Sequence, residues 1–402
     1  MTSRVLMIME GYPWPEQTGQ AMRKAAFVEG LEAVADIDLC VLRSATTREP
    51  TTDARELARS RCRDVAEFAL PERSLTAADR VGWALRQQVP SELLGYDYTD
   101  LRRAVRARFD GDYDQVWYLR PRSFHAIGPW EHAELVVDLD DLEDHKLASM
   151  PAAPTLAQAT KRSLRANAWR RLQNRIIEQA TVAIVCSPDD QARLAPMRNV
   201  AVVANSYPVP PAQELTVHPD APTLLFPGSF GYGPNAQAAR WLATEIRPEL
   251  ASAVPNAVIR LAGSAPRSIE ALAAQRFEVA GFVESMSTEL QRASAVIVPL
   301  RSGSGTRIKI IEAFAHRVPV ISTSIGCEGL GVRDGEHLLV ADTPRAFAAA
   351  CQRVIDEPGL GTALGIAAHS HFRRHFSRDV AIGQIATLAS TLSPTATIGS
   401  RP

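Results

Sequence analysis

The feature that most constrains the fold is a strand, loop, helix and strand pattern in residues 294–330. An apolar strand is predicted for residues 295–300, followed by a glycine-rich loop at 302–305. A helix opened by Thr306 comes next, and Pro319 introduces a second strand. Similar alternation of strands and helices recurs in both halves of the chain. We therefore predict an α/β fold with parallel sheets wound on both faces, built twice.

The loop in this pattern is suited to an anion. Backbone N–H groups and the positive end of the helix dipole meet where a glycine loop turns into a helix. Gly303 and Gly305 permit close approach, and Arg307 can bind phosphate oxygens in bidentate fashion. Glu312, about two turns further on, can accept hydrogen bonds from a diol such as ribose. Glycine loops of this kind are often only flexible, but this combination favours a nucleoside diphosphate.

Composition narrows the function classes. A chain of 402 residues exceeds what one hydrophobic core usually serves, so two domains are expected. A net charge of −1 gives no general attraction to nucleic acid, and we predict no nucleic-acid partner. The 5 cysteines are odd in number and scattered, which argues against a disulfide framework and favours the cytoplasm. The apolar run near the N-terminus is too short for a signal peptide, and no segment approaches the length of a membrane span.

The first half of the chain supplies further candidates. A strand at residues 4–9, a helix at 21–35 and a strand at 36–42 form its opening, and Gly19 precedes the helix where a phosphate or sugar could bind. The intervening loop lacks the GxGxxG pattern, which disfavours a nicotinamide cofactor. Residues 50–110 are predicted to be helices that cover the sheet.

Polar residues end two further predicted strands, 114–120 and 134–141. Open α/β sheets bind ligands at the carboxyl ends of their strands, so these residues are candidates for a substrate-binding cleft. The set is Tyr118, Arg120, Asp138 and Asp140, with His125 in the following loop. Asp138 and Asp140 match a DxD metal motif, but the acidic run also suits the first turn of a helix, and we predict no metal site.

A basic helix is predicted for residues 161–180. Its arginines could form a patch for anionic lipid, which would bring the protein to the membrane surface, or they could be a solvated helix face. The second interpretation is the commoner one for such a run.

The domain boundaries follow from composition. We predict a first domain at residues 1–205 that binds the second substrate, a proline-rich linker at 206–222 and a nucleotide-binding domain at 223–371. The helix at 372–390 is expected to return to the first domain, and 391–402 to be a flexible tail. The two Rossmann-like domains should face each other across a cleft.

The chain resembles bacterial glycosyltransferases of the large retaining group called family 4, which have the GT-B architecture. Four motifs in this order carry the resemblance: LLFPGSFGYGPNAQAARWL (224–242), VAGFV (279–283), GSGTRIKIIEAFAHRVPVISTSIGCEGL (303–330) and DGEHLLVAD (334–342). It implies a nucleotide-sugar donor linked to UDP, GDP or dTDP, with no cofactor required. The acceptor would be a hydroxyl of a glycan, a lipid-linked glycan or a small natural product.

The resemblance also implies roles for individual residues. The base would lie near Phe282 and Val283 and the ribose on Glu312. Arg307 and Lys309 would stabilise charge on the leaving phosphate. The diphosphate would lie against the loop residues Gly303, Ser304, Gly305, Thr306 and Arg307.

The sequence departs from the family pattern at three places. Ser304 stands where many members have a first glutamate, and SFGYGPNA (229–236) lacks the usual basic residues. Strand 114–120 has no histidine; Tyr118 or Arg120 lies nearest. These departures leave two alternatives open, a catalytically silent nucleotide-sugar binder and a sugar-nucleotide epimerase. An epimerase would use Asp138, Asp140 and His125 as acid and base groups.

Overall fold

The protein folds into two compact units. The computed structural model describes residues 3–44, 49–71, 76–86, 89–94, 96–150, 153, 155–211, 221–264, 267–272, 277–303 and 305–392. The first unit comprises Met1–Asn205 with Ala381–Pro402, and the second comprises Ser206–Val380. Ser304, most of the proline-rich segment and the last ten residues lie outside the described part of the chain.

The first unit is built on a parallel sheet of seven strands in the order β3-β2-β1-β4-β5-β6-β7. The strands are β1 Ser3–Glu10, β2 Ala35–Arg43, β3 Asp64–Ala69, β4 Gln115–Leu119, β5 Glu134–Asp140, β6 Val182–Val185 and β7 Val200–Val202. Alternate residues of β1 enter two different apolar clusters: Leu6 and Ile8 one, Met7 and Met9 the other. Both faces of this sheet are therefore covered, which explains why its strands read as continuous apolar runs.

Helices lie between these strands. Their bounds are α1 Gly19–Glu32, α2 Thr52–Arg61, α3 Ala77–Arg86, α4 Thr99–Arg108, α5 Pro121–Ile127, α6 Glu143–Ala148, α7 Leu156–Gln179 and α8 Pro188–Arg193. Thr18 caps α1, since its Oγ1 accepts a hydrogen bond from the Ala21 N–H at 3.2 Å.

The second unit repeats the plan with six parallel strands in the order β10-β9-β8-β11-β12-β13. They are β8 Thr223–Pro227, β9 Val258–Ala262, β10 Phe277–Gly281, β11 Ala295–Val298, β12 Val320–Ser322 and β13 Leu339–Val340. The helices are α9 Gly233–Trp241, α10 Arg247–Ala253, α11 Arg267–Glu270, α12 Met286–Arg292, α13 Ile308–Ala315, α14 Pro344–Asp356 and α15 Pro358–His375. The last helix, α16 Arg378–Leu392, begins in the second unit and continues into the first.

Several elements differ from the sequence-based expectations. The segment predicted as purely helical, 50–110, contains the edge strand β3, whose charged and half-buried residues hide its strand character. His125 lies in helix α5 and not in a loop. Helix α13 begins at Ile308, two residues after Thr306. A π-helical turn, Leu242–Ile246, joins α9 and α10, which no sequence pattern indicated.

Candidate functional site

The strand order of the second unit reverses between β8 and β11. Strands β9 and β10 extend from β8 to one side, and β12 and β13 extend from β11 to the other. The loops that leave β8 (228–232) and β11 (299–307) therefore diverge at the carboxyl edge of the sheet. Open α/β sheets bind their ligands at such a switch point, so this edge is the candidate ligand site of the second unit.

The loop after β11 has the backbone that a phosphate cradle needs. Gly303 and Gly305 have φ angles of +117° and +83°, which residues other than glycine rarely adopt. The Arg307 guanidinium, 8% exposed, donates to the Gly305 carbonyl oxygen at 2.8 Å and to the Ile325 carbonyl oxygen at 3.2 Å. Arg307 thus fixes the shape of the loop while adding a charge to it. Thr306 is half-buried beside it.

Lys309 joins the two loops. Its Nζ donates to Oδ1 of Asn235 in α9 at 2.8 Å and lies 4.6 Å from the centre of the Phe226 ring. The Nδ2 of Asn235 in turn donates to the Ser229 carbonyl oxygen at 2.8 Å. The ammonium group of a residue after β11 is therefore held at the end of β8.

Glycines make room for this ammonium group. A Cβ built at Gly228 would lie 3.0 Å from Lys309 Nζ and 2.8 Å from Asn235 Nδ2. A Cβ at Gly263, after β9, would lie 2.1 Å from the Gly228 carbonyl oxygen. Both glycines have positive φ angles, +151° and +133°. Side chains at either position would displace Lys309 or the loop that carries its partner.

Two ionisable groups of α13 have displaced pKa values. Burial, together with the nearby Arg307 charge, lowers the pKa of Lys309 to about 7. Burial raises the pKa of Glu312 to about 7, although the nearby Tyr207 hydroxyl and the Lys309 charge oppose the shift. Both groups thus titrate near neutral pH, which is common for groups that bind or react with a charged ligand.

Phe282 and Val283 follow β10 at the same edge of the sheet. Phe282 is 70% exposed, and Val283 is half-buried. Gly281, with a φ angle of +67°, accepts a hydrogen bond from the Gly263 N–H at 2.7 Å and so links this turn to the end of β9. An exposed aromatic ring on a fixed turn can stack on a nucleotide base.

In the first unit, Asp138 is taken up by a buried ion pair. Both of its carboxylate oxygens accept hydrogen bonds from Arg23 of α1, at 2.9 and 2.6 Å. Arg23 also donates to the carbonyl oxygen of Val203 at 2.9 Å. Arg23 and Asp138 are both almost fully buried. Asp138 is therefore committed to this buried ion pair. The sequence-based hypothesis placed it in a ligand cleft, and the structure corrects that placement.

Tyr118 also lies in the core. Its side chain is fully buried, and its hydroxyl donates to the Gly128 carbonyl oxygen at 2.8 Å. The reason is the alternation of β4, which turns Tyr118 into the same apolar cluster as Val116. Its assignment to a cleft is corrected as well.

Asp140 and Arg120 remain at the carboxyl edge of the first sheet. Arg120 lies 4.0 Å from an Asp140 oxygen and 3.7 Å from Glu143, and Arg23 lies 3.6 Å from Asp140. Among the described residues, Asp140, Asp141 and Cys186 bring three potential metal-ligand atoms within 4.8 Å of one another. Burial raises the pKa of the Cys186 thiol well above its usual range.

His125 and Gly19 complete the candidates of the first unit. The His125 ring packs edge-on against Tyr98, with ring centres 5.7 Å apart, and burial lowers its pKa to about 4. His125 is thus neutral at physiological pH. Gly19 is half-buried at the start of α1.

The basic helix α7 is partly neutralised. Arg165 pairs with Glu92 and Arg170 with Asp144. Among the residues that the structure describes, no helix is both long enough and apolar enough to cross a bilayer.

Sequence reasoning missed two residues of the second unit. Asn235 had no recognisable signal beyond its place at the start of α9. Tyr207 lies in the segment interpreted as a linker, yet its N–H donates to the Phe376 carbonyl oxygen at 2.9 Å. That hydrogen bond fixes it in the second unit.

Comparisons with known proteins concern the second unit and the fold. Residues 221–357 match a family model described as glycosyl transferases group 1. A curated relative, the uncharacterized 44.6 kDa protein in the cps region of Klebsiella pneumoniae, is 28% identical over 135 residues. That match covers 31% of this chain and 35% of the relative, so the chain spans about a third of the length of the relative that it matches.

Solved structures are similar over nearly the whole chain. Sucrose-phosphate synthase from Thermosynechococcus elongatus has a TM-score of 0.70 at 19% identity, covering 98% of this chain and 99% of that one. HepE from Anabaena, in complex with UDP and glucose, has a TM-score of 0.64 at 11% identity, covering 97% and 100%. WaaG, a glycosyltransferase involved in lipopolysaccharide biosynthesis, has a TM-score of 0.62 at 13% identity, covering 98% and 100%.

The fold of the chain is therefore the GT-B architecture of these solved structures. The segment that matches the glycosyl transferases group 1 model lies in the second unit.

Proposed function

We propose that this protein transfers a sugar from a nucleoside-diphosphate sugar to an acceptor hydroxyl, with retention of anomeric configuration, as in family 4. UDP is the nucleotide we favour, because HepE, a structural neighbour, was solved with UDP and glucose. The observation that carries the proposal is the hydrogen bond from Lys309 to Asn235 at the switch point of the second sheet.

The donor would occupy the edge between the loops after β8 and β11. Its diphosphate would accept hydrogen bonds from the loop that contains Gly303, Gly305 and Thr306. The charges of Arg307 and Lys309 are close enough that one lowers the pKa of the other. Two positive charges held close together repel each other, and an anion bound between them would relieve that repulsion. Such an anion would therefore be bound strongly. Glu312 would hold the ribose diol, and Phe282 with Val283 would contact the base.

The chemistry follows from this placement. The bond between the anomeric carbon and the phosphate oxygen breaks, and negative charge builds on the leaving diphosphate. Arg307, Lys309 and the loop N–H groups stabilise that charge. The acceptor oxygen then forms the new bond on the same face of the sugar, and its proton passes to a phosphate oxygen. No metal or cofactor is needed in this scheme.

The position of Lys309 bears on the missing basic residues after β8. The segment 229–236 contains no arginine or lysine, yet the ammonium group of Lys309 lies against Asn235 at this very place. The positive charge of Lys309, a residue of α13, therefore lies at the loop after β8, which has no basic residue of its own. This argues for an active transferase over a silent binder.

Two of the three acid and base groups that an epimerase would need are engaged in other contacts. Asp138 is committed to Arg23, and the neutral His125 packs against Tyr98. Asp140 lies between Arg23 and Arg120.

Assays with UDP-sugars and a panel of glycan, lipid-linked and small-molecule hydroxyl acceptors test the proposal. Glu312→Ala and Arg307→Ala should each lower turnover at least about tenfold, which corresponds to about 1.4 kcal/mol. Exposed Arg292→Ala, in α12, is the matched control and should keep full turnover. Unchanged turnover in both site variants would refute the site. Release of an epimerised nucleotide sugar without acceptor would favour the epimerase instead.

A further inference from the structure

Helix α9 contacts the loop after β11 as well as the loop after β8. The Ser302 hydroxyl, which is almost fully buried, donates to Oε1 of Gln237 at 3.0 Å. A Cβ built at Gly303 would lie 3.7 Å from Cβ of Pro234. Pro234 and Gln237 are three positions apart on the helix and therefore lie on one face of it. The glycine loop of the candidate site thus lies along the first turns of α9.

Asn235, between these two residues of α9, uses both ends of its amide group. Its Oδ1 accepts from Lys309 Nζ at 2.8 Å, and its Nδ2 donates to the Ser229 carbonyl oxygen at 2.8 Å. An ammonium group can only donate and a carbonyl oxygen can only accept, so these two partners fix which way the amide points. Asn235 is also buried. The position and the orientation of its oxygen are therefore both set.

The groups that hold the Lys309 ammonium are neutral. In the described part of the chain, Asn235 Oδ1 is its hydrogen-bond acceptor, the centre of the Phe226 ring lies 4.6 Å from Nζ, and no carboxylate forms an ion pair with it. An ammonium group has three donors, and this arrangement uses one of them. A carboxylate in the place of the amide would cancel the charge, whereas the amide holds the cation and leaves its charge for an anion.

We propose that Asn235 is a positioning residue, which holds the Lys309 ammonium beside the glycine loop as a neutral acceptor, so that its uncancelled charge is available to the donor diphosphate. This inference rests on the proposed function, and it goes beyond it by giving the amide of Asn235 and helix α9 a role. Asn235 acts through Lys309 and does not touch the reacting atoms.

A double-mutant cycle with Lys309 tests the inference on the full chain, with UDP as the ligand. Asn235→Leu is close in volume to the wild type but cannot accept a hydrogen bond. Its Kd for UDP should rise about tenfold, as expected for loss of a hydrogen bond to a charged group. In Lys309→Met the same change should leave Kd unchanged, since no ammonium is left to position. Calorimetry measures the four proteins, and their melting temperatures show that each is folded.

A second variant tests whether the acceptor must be neutral. Asn235→Asp keeps the shape of the side chain and adds a negative charge. Its Kd for UDP at pH 7 should rise about a hundredfold, because the new carboxylate pairs with Lys309 and repels the diphosphate. Asn256→Asp makes the same change at an exposed turn before β9, at the opposite edge of the sheet. This matched control should keep Kd within about twofold of the wild type.

The pH dependence of UDP binding separates positioning from general damage. Arg307 and Glu312 are the charged groups that act on Lys309 in the wild type, and neither changes in these variants. Asn235→Leu removes an acceptor from the ammonium, so the pKa of Lys309 should fall and the alkaline limb should move to lower pH. Asn235→Asp places a negative charge beside it, so that pKa should rise and the limb should move to higher pH. Damage to the fold alone would not displace the limb in opposite directions.

Four outcomes would overturn the inference. If Asn235→Leu binds UDP like the wild type, or weakens binding equally with and without Lys309, Asn235 does not act through the ammonium. If Asn235→Asp binds UDP like the wild type, the acceptor need not be neutral. If Lys309→Met itself binds UDP like the wild type, the role of Lys309 in the proposed function fails, and that of Asn235 falls with it. Failure confined to the Asn235 variants leaves the proposed function intact.

Discussion

The carboxyl edges of the two sheets differ in how their charges are matched. In the first unit, three arginines at the edge lie beside acids: Arg23 on Asp138, Arg122 on Glu10 at 3.5 Å, and Arg120 between Asp140 and Glu143. In the second unit, Arg307 donates to carbonyl oxygens and Lys309 to a neutral amide. Glu312, the acid nearest to Lys309, loses part of its ionisation to burial.

This contrast indicates which edge receives an anion. Charges that are already balanced gain little from an incoming phosphate, whereas cations held by neutral groups gain a great deal. The contrast therefore supports the diphosphate site that is proposed for the second unit. The balanced edge of the first unit suits an uncharged, hydroxyl-rich molecule better.

The largest effect should come from breaking the balance in the first unit. Arg23→Met leaves the Asp138 carboxylate buried without its partner and should lower the free energy of unfolding by about 3–5 kcal/mol. Urea unfolding followed by tryptophan fluorescence measures the change. Combining Arg23→Met with Asp138→Leu removes both charges and should restore most of the stability. A single variant as stable as the wild type would show that the pair is not needed.

Removing the main cation of the second unit comes next. Lys309→Met should reduce kcat about a hundredfold, or about 2.7 kcal/mol, because one preorganised donor to the leaving group is lost. Stability should change little, since neutral Met can cover the Phe226 ring. Lys161→Met, at an exposed position of α7, is the matched control and should keep full activity. Equal activity in both variants would contradict the contrast between the two edges.

The pH dependence of UDP binding sharpens the comparison. Lys309 and Glu312 have pKa values of about 7, and the ligand requires the first protonated and the second ionised. Affinity should therefore be greatest near pH 7 and fall on each side, with limiting slopes of about tenfold per pH unit. Lys309→Met should flatten the alkaline limb, and Glu312→Gln should flatten the acidic limb beyond what the ligand phosphate itself contributes. Calorimetry from pH 5.5 to about 9 provides the test; identical limbs in all three proteins would rule out these assignments.

The smallest effect concerns the base. Phe282→Ala should weaken UDP binding about fivefold, roughly 1 kcal/mol, as expected for loss of one stacking contact. The melting temperature should not change, because the side chain is 70% exposed. Ile366→Ala, which removes another exposed apolar side chain of the second unit, is the control. If the two variants bind UDP equally well, the base lies elsewhere.

Local patterns predicted much of the fold. A threonine followed by a proline is a typical helix start, and at the start of α14 Thr343 Oγ1 accepts a hydrogen bond from the Ala346 N–H at 3.3 Å. The apolar runs of β1, β2, β4 and β5 were recognisable because both faces of these strands are buried. Strand β3 was missed because it is a half-buried edge strand, and its alternation is masked by charged residues.

Candidate site residues could be proposed from the sequence only where they are close along the chain. The glycines, Arg307 and Glu312 fall within one loop and one helix, so their offsets suggested a common site, which stays a prediction. Lys309 and Asn235 are 74 positions apart, and Arg23 and Asp138 are 115 apart. Such pairs depend on which strands neighbour each other in the sheet, and no local spacing encodes that order. For the same reason Asp138 was interpreted as a ligand residue when its partner was unknown.

The contact between Gly228 and Gly263 sets a limit on redesign. These two positions leave no space for even a methyl group, so a saturation library there would return almost only the parent residue. Phe282, in contrast, faces solvent and would accept many replacements. If the proposed function holds, efforts to change the nucleotide preference should therefore vary the turn after β10 and leave the ends of β8 and β9 untouched.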